Sequence, residues 1–402
     1  MRVRLLTNRH FMFGDSMFGD VTPTDFLNEY WQTKPLVVHD ALPEFRSPLS
    51  PEELAGLACE EDVESRIVLK EGGAYPWELR HGPFSFEDFQ ALPDDHWTLL
   101  VQEVDRLVPA VARLLRRFDV LPRWRIDDIM VSYAPTGGTV GPHIDHYDVF
   151  LIQAAGHRRW EIGHAPINEE SIIPDLDLRI LSDFAPDATH VMGPGDVLYL
   201  PPRVAHHGVA VDDDCMTYSV GFRAPSHREL IGDFLQHAME HIDPDKRFSD
   251  PERAPLDHPG CLPAEDRQQV RTLLRNLVAD DDAIDAWFGR FMTRPPRDRI
   301  ALPPDSPWAV DELAAALHEG AALQHGTASR LAFQRHDDGT ATLFANGTSF
   351  SLDAKAAPLA SLLCDQEICP GTALAPHLER PSSRTLLTQL VNDGVLDVLD
   401  SR

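Results

Sequence analysis

The stretch "GPHIDHYDVF", residues 141–150, decides how this 402-residue chain is read, because it sets His143 and Asp145 two positions apart, just ahead of an apolar run. In extended backbone, residues two apart project from one face, so His143 and Asp145 point one way and Ile144 and His146 the other. An imidazole and a carboxylate sharing a face supply two ligands to a metal ion, and a third is then required from another strand ending at the same rim. "LYLPPRVAHHG", residues 198–208, offers His206 and His207 directly after a strand stopped by proline. Neighbouring strand residues face opposite sides, so one of the two reaches the site. Two histidines and one carboxylate form the facial triad that holds iron(II) and leaves three coordination positions open for cosubstrate and oxygen.

Outward from this stretch, residues 129–222 are a succession of short apolar segments: "IMVSYA", "YDVFLIQ", "RRWEIG", "DVLYLPP" and "MTYSVGF". Gly and Pro turns such as "PTGG" and "GPGD" separate them, which predicts a closed or two-sheet β architecture of the jelly-roll type. Helical patterns flank it. Upstream, Phe26, Leu27, Tyr30 and Trp31 have helical spacing before Pro35 and a strand at 36–38, with further helices expected near 51–58 and 104–118. Downstream come "ELIGDFLQHAMEHI", "EDRQQVRTLLRNLV" and "AIDAWFGRFM", then a Pro-rich junction, "RPPRDRIALPPDSPW". The last hundred residues mix a helix near 310–317, strand-like pieces and a final helix, "RTLLTQLVNDGVL", so the class is α+β.

The net charge of −28 argues against affinity for a phosphate backbone and favours basic partners. Direct DNA binding is not expected, since the final domain lacks a helix rich in Arg or Lys. No apolar run approaches membrane-spanning length and the opening residues lack a signal-peptide pattern, which predicts a cytoplasmic protein without membrane partners. Five cysteines, Cys59, Cys215, Cys261, Cys364 and Cys369, make neither a disulfide framework nor a zinc quartet and are read as free structural thiols. His146, His157 and His164 are read as solvated or structural.

"WRIDDIMVSYAPTGGTVGPHIDHYDVFLIQAAGHRRWEIG", "GDVLYLPPRVAHHG" and "YSVGFRAP" together resemble the bacterial JmjC-type ribosomal oxygenases, the YcfD-like (RoxA) arginine hydroxylases. The resemblance runs from about Asp25 over nearly the whole chain. It implies a JmjC/cupin double-stranded β-helix with N-terminal additions in residues 1–225, a helical dimerisation segment in 226–300 and a winged-helix domain in 301–402. It selects His206 over His207, giving His143, Asp145 and His206 as metal ligands. It also puts Arg158, in "GHRRW", where the family binds the 5-carboxylate of 2-oxoglutarate, and Ser132 in the cosubstrate pocket.

A guanidinium suits that role because its planar fork grips a carboxylate through two parallel hydrogen bonds. Arg159 alternates in direction and is expected at the surface. The implied reaction consumes oxygen and 2-oxoglutarate, releases succinate and carbon dioxide, and hydroxylates the β-carbon of an arginine on the sixteenth large-subunit ribosomal protein. No catalytic residue beyond the metal ligands is required. Asp128, with the strand parity of Ser132, and Tyr147, with that of His143, are substrate-pocket candidates. The implied protein is a homodimer whose winged helix docks protein. Two other readings remain: a JmjC-type hydroxylase of another basic protein, which would use the same iron site, and a non-catalytic cupin-like binding protein, which would need neither iron nor Arg158 inside the barrel.

Overall fold

The computed structural model describes residues 17–70, 77–163, 172–174, 178–295, 301–327 and 329–399. The opening segment read for a signal peptide, His164 and part of the Pro-rich junction lie outside them. The chain divides into two compact units, Met1–Ala224 and Pro225–Arg402.

The first unit is built on a β-sandwich. Its strands are β1 (Leu36–Val38), β2 (Ser65–Lys70), β3 (Trp77–His81), β4 (Trp97–Val101), β5 (Ile126–Ala134), β6 (Val149–Ala155), β7 (Arg158–Gly163), β8 (Ala188–Met192), β9 (Val197–Leu200), β10 (Ala205–Ala210) and β11 (Cys215–Phe222). An eight-stranded sheet runs β1-β9-β6-β11-β5-β4-β2-β3, and a three-stranded sheet runs β10-β7-β8. Each pair is antiparallel, and the crossing of sequence-distant strands into two facing sheets is the double-stranded β-helix. Strand alternation gives the large sheet two different faces. Leu99, Val101, Ile129, Val131, Phe150, Ile152, Tyr218 and Val220 bury themselves in an aromatic-rich core with Phe26 and Phe118, whereas the intervening residues turn toward the small sheet.

Three sequence expectations change. The helix near 104–118 is interrupted: Val104–Leu107 stops before Pro109, a second turn spans Pro109–Ala112, and Arg113–Phe118 is 3-10. Proline cannot donate the hydrogen bond that would carry one helix through. The opening helical segment is a π turn over Phe26–Tyr30. The final helix, Pro381–Asn392, ends before Gly394, whose φ of +69° lies in left-handed space, and the remaining residues form a strand, Leu396–Leu399.

The second unit opens with helices His227–Glu240, Ala264–Asn276 and Asp281–Thr293. Ser226 caps the first through a reciprocal box with Glu229. Trp287 and Arg294 both bond Asp233, tying the first helix to the third. Helices Val310–His318, Ala357–Asp365, Gly371–Leu378 and Pro381–Asn392 then pack with two three-stranded sheets around a Leu- and Ala-rich core.

Candidate active site

The rim of the sandwich is closed by one pair of residues. His143 and His206 exchange both backbone hydrogen bonds at 3.0 Å, forming an isolated antiparallel bridge that places their rings 4.2 Å apart. Gly141, at φ +81°, turns the chain into position just before it, a conformation that side chains other than glycine adopt at a cost. The Asp145 carboxylate lies 3.6 Å from His206 Nε2, and one ligand atom from each of His143, Asp145 and His206 lies within 4.8 Å of the other two.

The two imidazoles are also set in the correct tautomer. His143 Nδ1 donates to the Gly141 carbonyl at 2.9 Å and His206 Nδ1 to the Val204 carbonyl at 3.0 Å. A carbonyl only accepts, so Nδ1 keeps the proton and each Nε2 presents a lone pair. Burial, then the neighbouring His143, holds the His206 imidazole neutral, its pKa depressed to about 4. Tyr147 lines one cavity with His143, and burial, then the nearby Asp145 carboxylate, raises the pKa of its hydroxyl. Ile144 was expected to face away, yet it lines the same cavity as His143. Between Gly141 and Asp148 only His143 makes a β-bridge; the backbone beyond it turns before β6 begins, and strict alternation is lost.

His207 separates cleanly from His206. It faces Glu161, with Nδ1 3.0 Å from the carboxylate. His146 is exposed, and His157 bonds Asp212 at the surface. The five cysteines are unbridged.

Between the sheets lies a cavity of about 600 Å³, a size suited to a small ligand together with an inserted side chain. Asp128, Met130 and Ser132 line it from β5, Thr217, Ser219 and Gly221 from β11, and Arg158 and Trp160 from β7. Arg158 is 3% exposed. Its Nε donates to Cys215 Sγ at 3.3 Å and its guanidinium stands 5.8 Å from the Trp160 ring. No carboxylate pairs with it among the described residues, and Nη2 is buried without a hydrogen-bond partner, as are Trp160 Nε1 and Thr98 Oγ1. Buried donors left unmet cost stability, and three in one cavity point to a ligand rich in acceptors. Arg159 is exposed and bonds Glu161, as alternation requires. Ser132 is buried, donating to the Thr217 carbonyl at 3.4 Å.

Trp160 and Thr98 were not identified from sequence. Trp160 was accessible, standing two residues beyond Arg158 and therefore on its face. Gly208 opposes it across the β7–β10 pair, and a Cβ there would sit 2.6 Å from the indole, so glycine is what makes room for Trp160 beside Arg158. Thr98 carries no such signal, because β4 joins the sheet from outside the strand-rich segment.

Residues 113–230 match the JmjC domain, residues 276–397 the ROXA-like winged helix, and residues 185–286 the AraC-like ligand binding domain. The chain is 36% identical over 370 residues to the ribosomal protein uL16 3-hydroxylase of Escherichia coli K12, covering 92% of this chain and 96% of that protein. The crystal structure of E. coli YcfD superposes with a TM-score of 0.85 at 35% identity, over 94% of this chain and 98% of that one. YcfD in complex with cobalt and 2-oxoglutarate superposes at 0.81, also at 35% identity, over 93% and 97%. Fold, cavity and full-length similarity agree: this chain belongs to the JmjC ribosomal oxygenases, iron(II)- and 2-oxoglutarate-dependent dioxygenases that end in a winged helix.

Proposed function

We propose that the chain hydroxylates the β-carbon of an arginine in the large-subunit ribosomal protein uL16. The observation that carries this is a cavity with His143, Asp145 and His206 at its rim and a buried, unpaired guanidinium edge inside, in a chain similar throughout to a uL16 3-hydroxylase.

In this reading His143, Asp145 and His206 hold iron(II), and Arg158 receives the 5-carboxylate of 2-oxoglutarate on its free Nη2 edge while Cys215 and Trp160 fix its orientation. Ser132 lines the cosubstrate pocket. Asp128 and Tyr147 flank the substrate side chain. Bound iron with 2-oxoglutarate supplies the activation of oxygen and the hydroxylation of carbon. The protein's own task is placement: the two sheets exclude water and hold the reacting groups together. The division of labour follows residues 1–225 for catalysis, 226–300 for dimerisation and 301–402 for docking to protein, in the cytoplasm where ribosomes are assembled.

Succinate formation with iron(II) and 2-oxoglutarate should rise on adding a uL16 peptide carrying the target arginine, and mass spectrometry should find one oxygen gained on that residue. Stimulation only by another basic peptide would favour a different protein substrate; ligand binding without turnover would favour a binding protein.

Dimerisation draws support from Ile231, Leu235 and Met239, which form one exposed stripe on helix His227–Glu240, and from exposed Leu273 and Leu274 on Ala264–Asn276. Light scattering should give a dimer mass for the wild type and a monomer mass for the Leu235→Glu, Leu273→Glu double variant. A monomeric wild type contradicts the assignment.

A further inference from the structure

The loop from Gly141 to Asp148 carries His143 and Asp145 outside the strands, so something other than a sheet must hold it in place. The bridge between His143 and His206 fixes its near end. Further along, the Arg203 amide donates to the Asp145 carbonyl at 2.6 Å, and the Phe222 amide donates to the Asp148 carbonyl at 3.0 Å. Arg203 reaches its acceptor from a φ of +67°, left-handed backbone that strains a residue with a side chain.

Asp148 adds a side-chain anchor at the far end. It continues the parity of Phe150 and Ile152, so its carboxylate turns into the aromatic core, where it is fully buried. There Oδ1 accepts from the Tyr199 hydroxyl at 2.7 Å, and Oδ2 accepts from Gln32 Nε2 at 2.9 Å and Arg125 Nη2 at 3.3 Å. Each donor is itself fixed. The Tyr199 hydroxyl accepts the Gln32 amide at 2.7 Å, and its ring stacks on Trp31 at 5.8 Å. Arg125 stands 5.6 Å from the same indole and donates from Nε to the Arg223 carbonyl at 2.7 Å. Gln32, at φ +57°, is again left-handed. Burying a carboxylate so completely is costly even when it is paired, and left-handed backbone at Gln32 and Arg203 adds to that cost. Both expenditures converge on the loop that bears Asp145.

Resting on the assignment of His143, Asp145 and His206 as iron ligands, we propose that Asp148 is a positioning residue for the metal centre. Tyr199, Gln32 and Arg125 clamp its carboxylate, and the clamped loop keeps Asp145 beside the two imidazoles. Asp148 stands three residues beyond Asp145, about 10 Å of chain at full stretch, so a displacement of one reaches the other. A carboxylate that served only the fold would set Tm and leave the metal affinity of the folded protein alone.

The test is titration of the metal-free protein with cobalt(II), followed by calorimetry and visible absorption, without oxygen or peptide. Asp148→Asn keeps the shape of the side chain but sets an NH2 group where donors converge. It should weaken cobalt binding by about tenfold or more, the usual effect of losing a group that orients a ligand. Tyr199→Phe keeps the stacked ring and removes only the hydroxyl. It should weaken binding in the same direction by less, and should cost less again when added to Asp148→Asn, because the two groups act as one unit. Ile152→Ala, in the core of the same sheet, is the control: it should lower Tm at least as far and leave cobalt affinity unchanged.

Hydrogen exchange reads the loop without metal. The amides of His206, Arg203 and Phe222 bond the carbonyls of His143, Asp145 and Asp148, and all three should exchange faster in Asp148→Asn while amides of the β2–β4 pair keep their rate. Should Asp148→Asn fail to fold, Tyr199→Phe decides by both readouts. Wild-type cobalt affinity in the folded variants, where His206→Ala has lost it, overturns the proposal; so does an equal loss in Ile152→Ala, since general loosening would then suffice. If His206→Ala binds cobalt as the wild type does while exchange at Arg203 and Phe222 still quickens, the ligand set fails and the clamp on the loop stands.

Discussion

His206→Ala should lose at least about three orders of magnitude in kcat/KM for succinate formation, while His207→Ala, one residue along, should stay within a few-fold of the wild type. The metal supplies several kcal/mol of catalysis, and each 1.4 kcal/mol or so is tenfold in rate. The contrast follows from register. His206 pairs with His143 across the rim, whereas His207 turns to Glu161. Iron titration followed spectroscopically separates lost ligation from lost folding: the His206 variant should melt cooperatively and bind iron weakly. Full activity in His206→Ala, or collapse of activity in His207→Ala with the fold intact, would reject this ligand set.

Arg158→Met should raise the KM for 2-oxoglutarate by about a hundredfold or more, since removing one partner of a buried charged pair costs about 2–5 kcal/mol. Arg158→Lys should recover little of this, because an ammonium lacks the planar fork and the Nε–H that reaches Cys215. Stability gives a second readout. In the ligand-free protein Arg158 is a buried cation with no carboxylate beside it among the described residues, so replacing it by a similar-sized apolar chain should leave Tm unchanged or raise it. The wild type should gain Tm on adding 2-oxoglutarate with a divalent metal, and the Met variant should not. A variant that keeps the shift would show that the carboxylate is held elsewhere.

Much of this site is legible because β-strands write their faces into alternate residues. Once 129–222 is read as strands, Asp128 and Ser132 fall on one side and Arg158 parts from Arg159 by parity alone. Ile144 defeats that logic, since the chain leaves extended geometry immediately after His143. Local pattern could not choose between His206 and His207 either; resemblance made that choice, and its physical basis, the bridge to His143, lies more than sixty residues away. Thr98, Gln102 and Arg66 were missed because β4 reaches the cavity by pairing with β5, and β2 by pairing with β4, and pairing between distant strands leaves no mark in either sequence.

One property of the large sheet extends beyond catalysis. Positions 128, 130 and 132 open on the reaction chamber, while 129 and 131 anchor the interior, and β4, β6 and β11 repeat the pattern. Selectivity and robustness are thus interleaved along the same strands at single-residue spacing, so either can drift without dragging the other. The arrangement also punishes slippage: a shift of one position would put aspartate among the phenylalanines and isoleucine beside the His143, Asp145 and His206 cluster.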